Sequence, residues 1–131
     1  MKKFTKWVLP AAVMLAVPAA ALAHHSFAVF FDETKEVSVE GTVVAFRFTN
    51  PHATIALDVT GADGTVTRWR AETNAPVILQ RRGWSRGSLR AGQTVKLNGW
   101  LSREGKPYMR LRSAFNSDGT QIGQSFGTGD N

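Results

Sequence analysis

Beyond residue 23 the sequence predicts an all-β domain, a small five-stranded barrel with one short helix between the third and fourth strands. Three observations predict it. Apolar and polar side chains alternate with a period of two in five short runs, turn signals separate those runs, and only one segment carries helix punctuation. The length of 131 residues allows one hydrophobic core and leaves too little surface for two.

The first run joins Val37, Val39, Val43 and Ala45 to polar neighbours, with Gly41 inside it. Glycine in a strand permits a sharp bend, which lets one long strand serve both ends of a small barrel. Asn50-Pro51 breaks this strand, and Ile55, Leu57 and Val59 mark the second. Asp63-Gly64 turns the chain into a third strand over residues 65–72, with Trp69 and Ala71 on one face and Arg68 and Arg70 on the other. The helix signal follows: Asn74 as N-cap, Pro76 in the first turn, Val77 to Leu79, Arg81-Arg82, then Gly83 as C-cap. Val95, Leu97, Gly99 and Leu101 set one face of the fourth strand, and Lys96, Asn98 and Trp100 the other. After Glu104-Gly105-Lys106, residues 108–115 form the fifth strand, where Met109 and Leu111 oppose Arg110 and Arg112. That order, with a bent first strand, is the order of the OB-fold, so the expected class is an OB-like β-barrel.

The ends of the chain read differently. Lys2, Lys3 and Lys6 precede an apolar run from Trp7 to Ala21, and Ala21-Leu22-Ala23 supplies a small-x-small cleavage pattern. Residues 1–23 are therefore expected to be a secretory signal peptide, with the mature chain in the periplasm or secreted and carrying no membrane span. The run is short for a transmembrane helix and is interrupted by Pro10 and Pro18. The aromatic segment 24–35, with Phe27, Phe30 and Phe31, is expected to pack on the domain, which extends to residue 122. Residues 123–131, rich in glycine, serine and threonine, are expected to be a flexible tail.

Formal charge is +6, from 16 Lys and Arg against 10 Asp and Glu. Three of the lysines lie in the leader, so the mature chain is only mildly basic, and no nucleic-acid partner is expected from its charge. The absence of cysteine removes disulfides, thiolate metal sites and thiol nucleophiles. No nucleophile elbow, phosphate loop or zinc-protease helix occurs, and the chain is not expected to be an enzyme.

His24-His25-Ser26-Phe27, Gly41-Thr42-Val43, Asn50-Pro51-His52 and Arg81-Arg82-Gly83-Trp84-Ser85 together resemble the DUF6152 family of small exported bacterial proteins. The resemblance covers nearly all of the mature chain. It implies an exported domain and carries over no activity.

All three histidines fall in two places, His24 and His25 at the expected new amino terminus and His52 in the turn after the first strand. Cleavage after Ala23 would free the α-amine of His24 to chelate a metal together with its own imidazole, and His52 or His25 would add a third nitrogen. Such a site is similar to the histidine brace of copper-dependent polysaccharide monooxygenases. Nitrogen donors without thiolate favour copper(II), with zinc and nickel as competitors. Asp32 and Glu33 are candidates to support a ligating imidazole. A second expectation needs no metal. Arg82 and Trp84 after the helix, with Trp100 and Arg112 on the last two strands, offer guanidinium and indole to an acidic or carbohydrate partner of an envelope interaction module. The partner is thus a metal ion or small ligand.

Overall fold

The computed structural model describes residues 27–128, so the expected leader, His24 and His25 lie outside the described residues. A 3-10 turn, Phe27–Val29, leads into β1 (Phe31–Arg47), β2 (Thr54–Thr60), β3 (Val66–Glu72), α1 (Pro76–Arg81), β4 (Thr94–Ser102) and β5 (Tyr108–Asn116). The strands close into a ring in the order β1-β2-β3-β5-β4. Every pairing is antiparallel except β3 with β5, where Ala71 stands beside Met109. This is the expected fold class, nearly all-β with its one helix between β3 and β4.

β1 closes the ring because it pairs twice. Its first part lies along β4, from Glu36 opposite Trp100 to Thr42 opposite Thr94, and its last part along β2, from Thr42 opposite Asp58 to Arg47 opposite Thr54. Gly41 stands at the changeover. A Cβ there would come within 2.2 Å of the Asp58 carbonyl oxygen, so only glycine lets the two neighbouring strands approach so closely. β1 also begins at Phe31, ahead of the expected Glu36, because Phe31 pairs with Ser102 across a shift in register.

Alternation then sorts the side chains. Val43, Ile55, Leu57, Ala71, Val95, Leu97, Met109, Leu111 and Ala114 point inward and are buried, and Leu79 of α1, Trp84 and Leu89 close one end of the ring. Trp100, Phe27 and Phe31 form a second buried cluster, with Tyr108 packed against it. Trp100 is opposite Arg110 in the ladder, the position between inward Met109 and Leu111, so this cluster lies on the outer face. The amino-terminal aromatic segment thus straps the sheet from outside, as expected.

Two local features differ from the sequence expectations. The N-cap of α1 is Ala75, with no side-chain cap, because the Asn74 amide oxygen accepts from Arg110 instead. Gly83, at φ 79°, follows the C-cap residue Arg82. Residues just beyond 122 are also not free of the domain. Gln124 N–H donates to Arg82 O and Phe126 N–H to Arg112 O, both at 2.8 Å, and the Arg82 guanidinium donates to Ser125 O at 2.6 Å. Phe126 is 1% exposed and its ring lies 6.2 Å from that of Trp84. Composition hid this, since one phenylalanine among glycines and serines anchors the segment. Gly123 is part of the device: a Cβ on it would meet Trp84 Nε1 at 2.2 Å. Among the described residues no helix is long and apolar enough to cross a membrane.

Replacing Phe126 with Ala is expected to lower unfolding free energy by about 3 kcal/mol or more in urea titrations, the usual cost of emptying a fully buried aromatic site. A change below about 0.5 kcal/mol, as for an exposed side chain, would show that the segment does not complete the core.

Candidate functional site: a histidine held by Glu72 and Tyr108

The hairpin β2–β3 pairs Thr54 with Glu72 at its open end. The pairing runs on past the strands, since Ala53 N–H donates to Asn74 O at 3.0 Å and Thr73 N–H returns to Ala53 O at 2.9 Å. The Thr73 hydroxyl reinforces it by donating to the same Ala53 carbonyl at 3.0 Å. These bonds fix the chain just after the cis Asn50-Pro51 peptide and present His52 beside Glu72.

His52 Nδ1 stands 2.6 Å from Glu72 Oε1, and the Tyr108 hydroxyl donates to Glu72 Oε2. One carboxylate therefore joins a loop histidine to the start of β5. A carboxylate oxygen accepts, so Nδ1 donates to Glu72, and Nε2 has no protein partner among the described residues. The His52 side chain is 39% exposed and that of Glu72 only 17%. Phe27 stacks at 5.1 Å from the imidazole, Phe31 meets Tyr108 edge-on at 4.9 Å, and Arg70 lies 5.2 Å over the Tyr108 ring. Arg110 packs against the same residues: its guanidinium lies 3.6 Å from the Phe27 ring centre and donates to Glu72 O at 3.2 Å. Phe27, Phe30, Phe31, His52, Glu72 and Tyr108 enclose a cleft of about 220 Å³. Its walls are apolar, with one imidazole face and one carboxylate.

Of the expected metal ligands, His52 is therefore the one placed by the structure, while His24 and His25 lie outside the described residues. Among the described residues no three His, Asp or Glu side chains gather in one place. The expected supporting carboxylates are engaged elsewhere or exposed. Asp32 accepts from the Thr34 hydroxyl and backbone N–H, and these bonds, with Arg103 and Lys35 nearby, hold its carboxyl below the usual range. Glu33 is exposed. The carboxylate bonded to His52 is Glu72. Sequence alone leaves it unpaired with His52, yet a register counted outward from the Asp63-Gly64 turn brings residues 52 and 72 to the same end of the hairpin. Tyr108 has no such local signal, because its position depends on the parallel β3–β5 pairing.

The expected ligand set of Arg82, Trp84, Trp100 and Arg112 is not brought together on one surface. Trp84 is 2% exposed inside the ring and Trp100 3% exposed beneath the amino-terminal strap. Arg82 lies over the Phe126 ring at 5.4 Å and holds the C-terminal segment. Arg112 covers Trp100 at 4.5 Å on the outer face.

A family described as one of unknown function, DUF6152, matches residues 12–123. The chain belongs to that family. The resemblance carried by the histidine, Asn-Pro-His and Arg-Arg-Gly-Trp segments is thereby borne out, and DUF6152 includes the whole strand and helix framework described above. No curated protein matches the chain. Among solved structures, the DUF6152 chain is similar to the mitochondrial single-stranded DNA binding protein Rim1 of S. cerevisiae, with 9% identity over 70% of this chain and 96% of that one, at a TM-score of 0.48. It is similar also to a small single-stranded DNA-binding protein of Streptomyces coelicolor, 20% identical over 63% of this chain and 91% of that one, at 0.47. A third, a ZRD-deleted mutant of TiaS in complex with agmatine, is 13% identical over 76% of this chain but only 24% of that one, also at 0.47. These likenesses are of architecture and carry no ligand across. They do correct one expectation. Proteins named as single-stranded DNA binders share this OB-like arrangement, so the modest charge of the mature chain is no ground for excluding nucleic acid, and the exclusion is withdrawn.

If Glu72 ties the loop to β5 through His52, the substitutions His52→Ala and Glu72→Gln are coupled. A double-mutant cycle on unfolding free energy is expected to give a coupling of about 0.5 to 3 kcal/mol, as for contacting side chains. Strictly additive effects would show that the pair does not interact.

Proposed function

We propose that the mature chain, exported and cut after Ala23, is an envelope metal-binding module that holds one copper(II) ion between its new amino terminus and His52. The observation that carries this reading is the fixed imidazole. Glu72 accepts from Nδ1 and is itself bonded by Tyr108, leaving Nε2 accessible beside Phe27. A carboxylate behind a histidine is the arrangement that orients a ligating imidazole and raises its basicity.

Chain length supports the rest of the donor set. Only two residues, His25 and Ser26, separate His24 from Phe27, and a chain extends by at most roughly 3.3–3.6 Å per residue. Phe27 already touches the His52 ring, so the amine and imidazole of His24, or the imidazole of His25, are within reach of the same ion. The donors are nitrogen with no thiolate, which suits copper(II) above nickel and zinc. The ion would arrive at a site whose apolar rim, Phe27, Phe30 and Phe31, limits access of water and competing ligands. Carriage or storage of the ion is the role we assign, because Glu72 and Tyr108 are engaged with each other and with His52 and serve to hold the imidazole.

Calorimetry on the chain beginning at His24, with zinc and nickel as comparison ions, tests it. One copper(II) per chain is expected, bound more tightly than either other ion. Glu72→Gln should weaken the affinity about 10- to 100-fold, the usual effect of removing a carboxylate behind a ligand, and His52→Ala by more. One glycine added ahead of His24 should also weaken it, because the chelating amine is displaced. Equal affinity in all four proteins would reject the site.

A further inference from the structure

A second cleft, of about 290 Å³, opens on the outer face where β1, β4 and β5 run side by side, lined by Glu36, Ser38, Asn98, Arg112, Ser113 and Ser125. It shares no lining residue with the His52 cleft. Arg112 lines it, with its guanidinium carbon 4.5 Å from the Trp100 ring centre. That contact satisfies none of its N–H groups, and Arg112 Nε is buried with no hydrogen-bond partner. Among the described residues Arg112 is in no ion pair. A desolvated guanidinium donor without an acceptor is costly, and a carboxylate meets its geometry with two parallel bonds.

The hydroxyls around it are set to donate. Ser113 Oγ already accepts from the Asn98 amide at 3.1 Å, and Ser125 Oγ from the Gln121 amide at 2.9 Å, so each retains its own proton for an acceptor in the cleft. Ser125 is held there by the docked C-terminal segment through its carbonyl bond to Arg82. Glu36, on β1 opposite Trp100, also lines the cleft and supplies an acceptor for hydroxyl protons that would repel a second anionic centre. A guanidinium, several hydroxyl donors and a single carboxylate acceptor in one cleft describe a ligand with one carboxylate and several hydroxyls.

We infer that this cleft binds a small hydroxylated carboxylic acid of the sugar-acid type, its carboxylate on Arg112 and its hydroxyls on Ser113, Ser125 and Glu36. The site is independent of the metal reading and stands or falls without it.

Tryptophan fluorescence, reporting Trp100 beneath Arg112, tests this on metal-free mature protein titrated with glucuronate, acetate, inorganic phosphate and glucose. Saturable binding of glucuronate below about 10 mM is expected, tighter than acetate, which lacks hydroxyls, and than glucose, which lacks charge. Arg112→Gln should weaken glucuronate at least tenfold, consistent with loss of a charge-assisted pair, and Arg112→Lys, which keeps charge without the fork, by less. Ser113→Ala and Glu36→Gln leave the stack on Trp100 intact and should weaken glucuronate while leaving acetate less affected in the Glu36 variant. The inference is overturned if glucuronate fails to saturate, if glucose or phosphate binds as well as glucuronate, or if the Arg112 and Ser113 variants bind it as tightly as the natural sequence.

Discussion

Glu72 is the last residue of β3 and the point at which three parts of the chain are tied together. Its side chain bonds the loop after β1 through His52 and the start of β5 through Tyr108, and its carbonyl accepts from Arg110. β3 and β5 are the one parallel pair, joined over only a few residues. A carboxylate at that seam therefore serves two ends at once. It closes the ring where the ladder is shortest, and it orients the one described imidazole in the molecule.

Much of the architecture is legible before any coordinates. Alternation in residues 37–43, 55–59, 66–72 and 95–99 reflects strands with one face on the core, and the Asp63-Gly64 turn sets the hairpin register. The helix is legible from Pro76 and Gly83, but not its cap: Asn74 has a suitable side chain for capping and spends it on Arg110, a residue far along the chain. The docked segment around Phe126 is illegible for a similar reason. Its partners come from two separate places, Arg82 and Trp84 just after α1 and Arg112 on β5, and local composition records neither.

The site divides the same way. His52 stands out because histidine is rare in this chain and the Asn-Pro turn displays it. Glu72 is recoverable only by extending the hairpin past its strands, and Tyr108 only from the closed ring. The indoles mislead, since Trp84 and Trp100 beside arginines suggest a ligand face in sequence but are buried in two separate clusters. Several arginines lie over aromatic rings, Arg70 on Tyr108, Arg82 on Phe126, Arg86 on Phe48, Arg110 on Phe27 and Arg112 on Trp100. Such guanidinia pack as planar lids as much as they carry charge, and Arg→Lys changes at these positions would not be conservative.

The account turns on whether the imidazole behind which Glu72 sits is a metal ligand of the exported chain. X-ray absorption spectroscopy on copper-loaded protein beginning at His24, compared with its His52→Ala variant, reads this most directly. A nitrogen-only first shell that loses one imidazole scatterer in the variant is the predicted result. An identical spectrum from both proteins would show that His52 takes no part, and the proposed site would be contradicted.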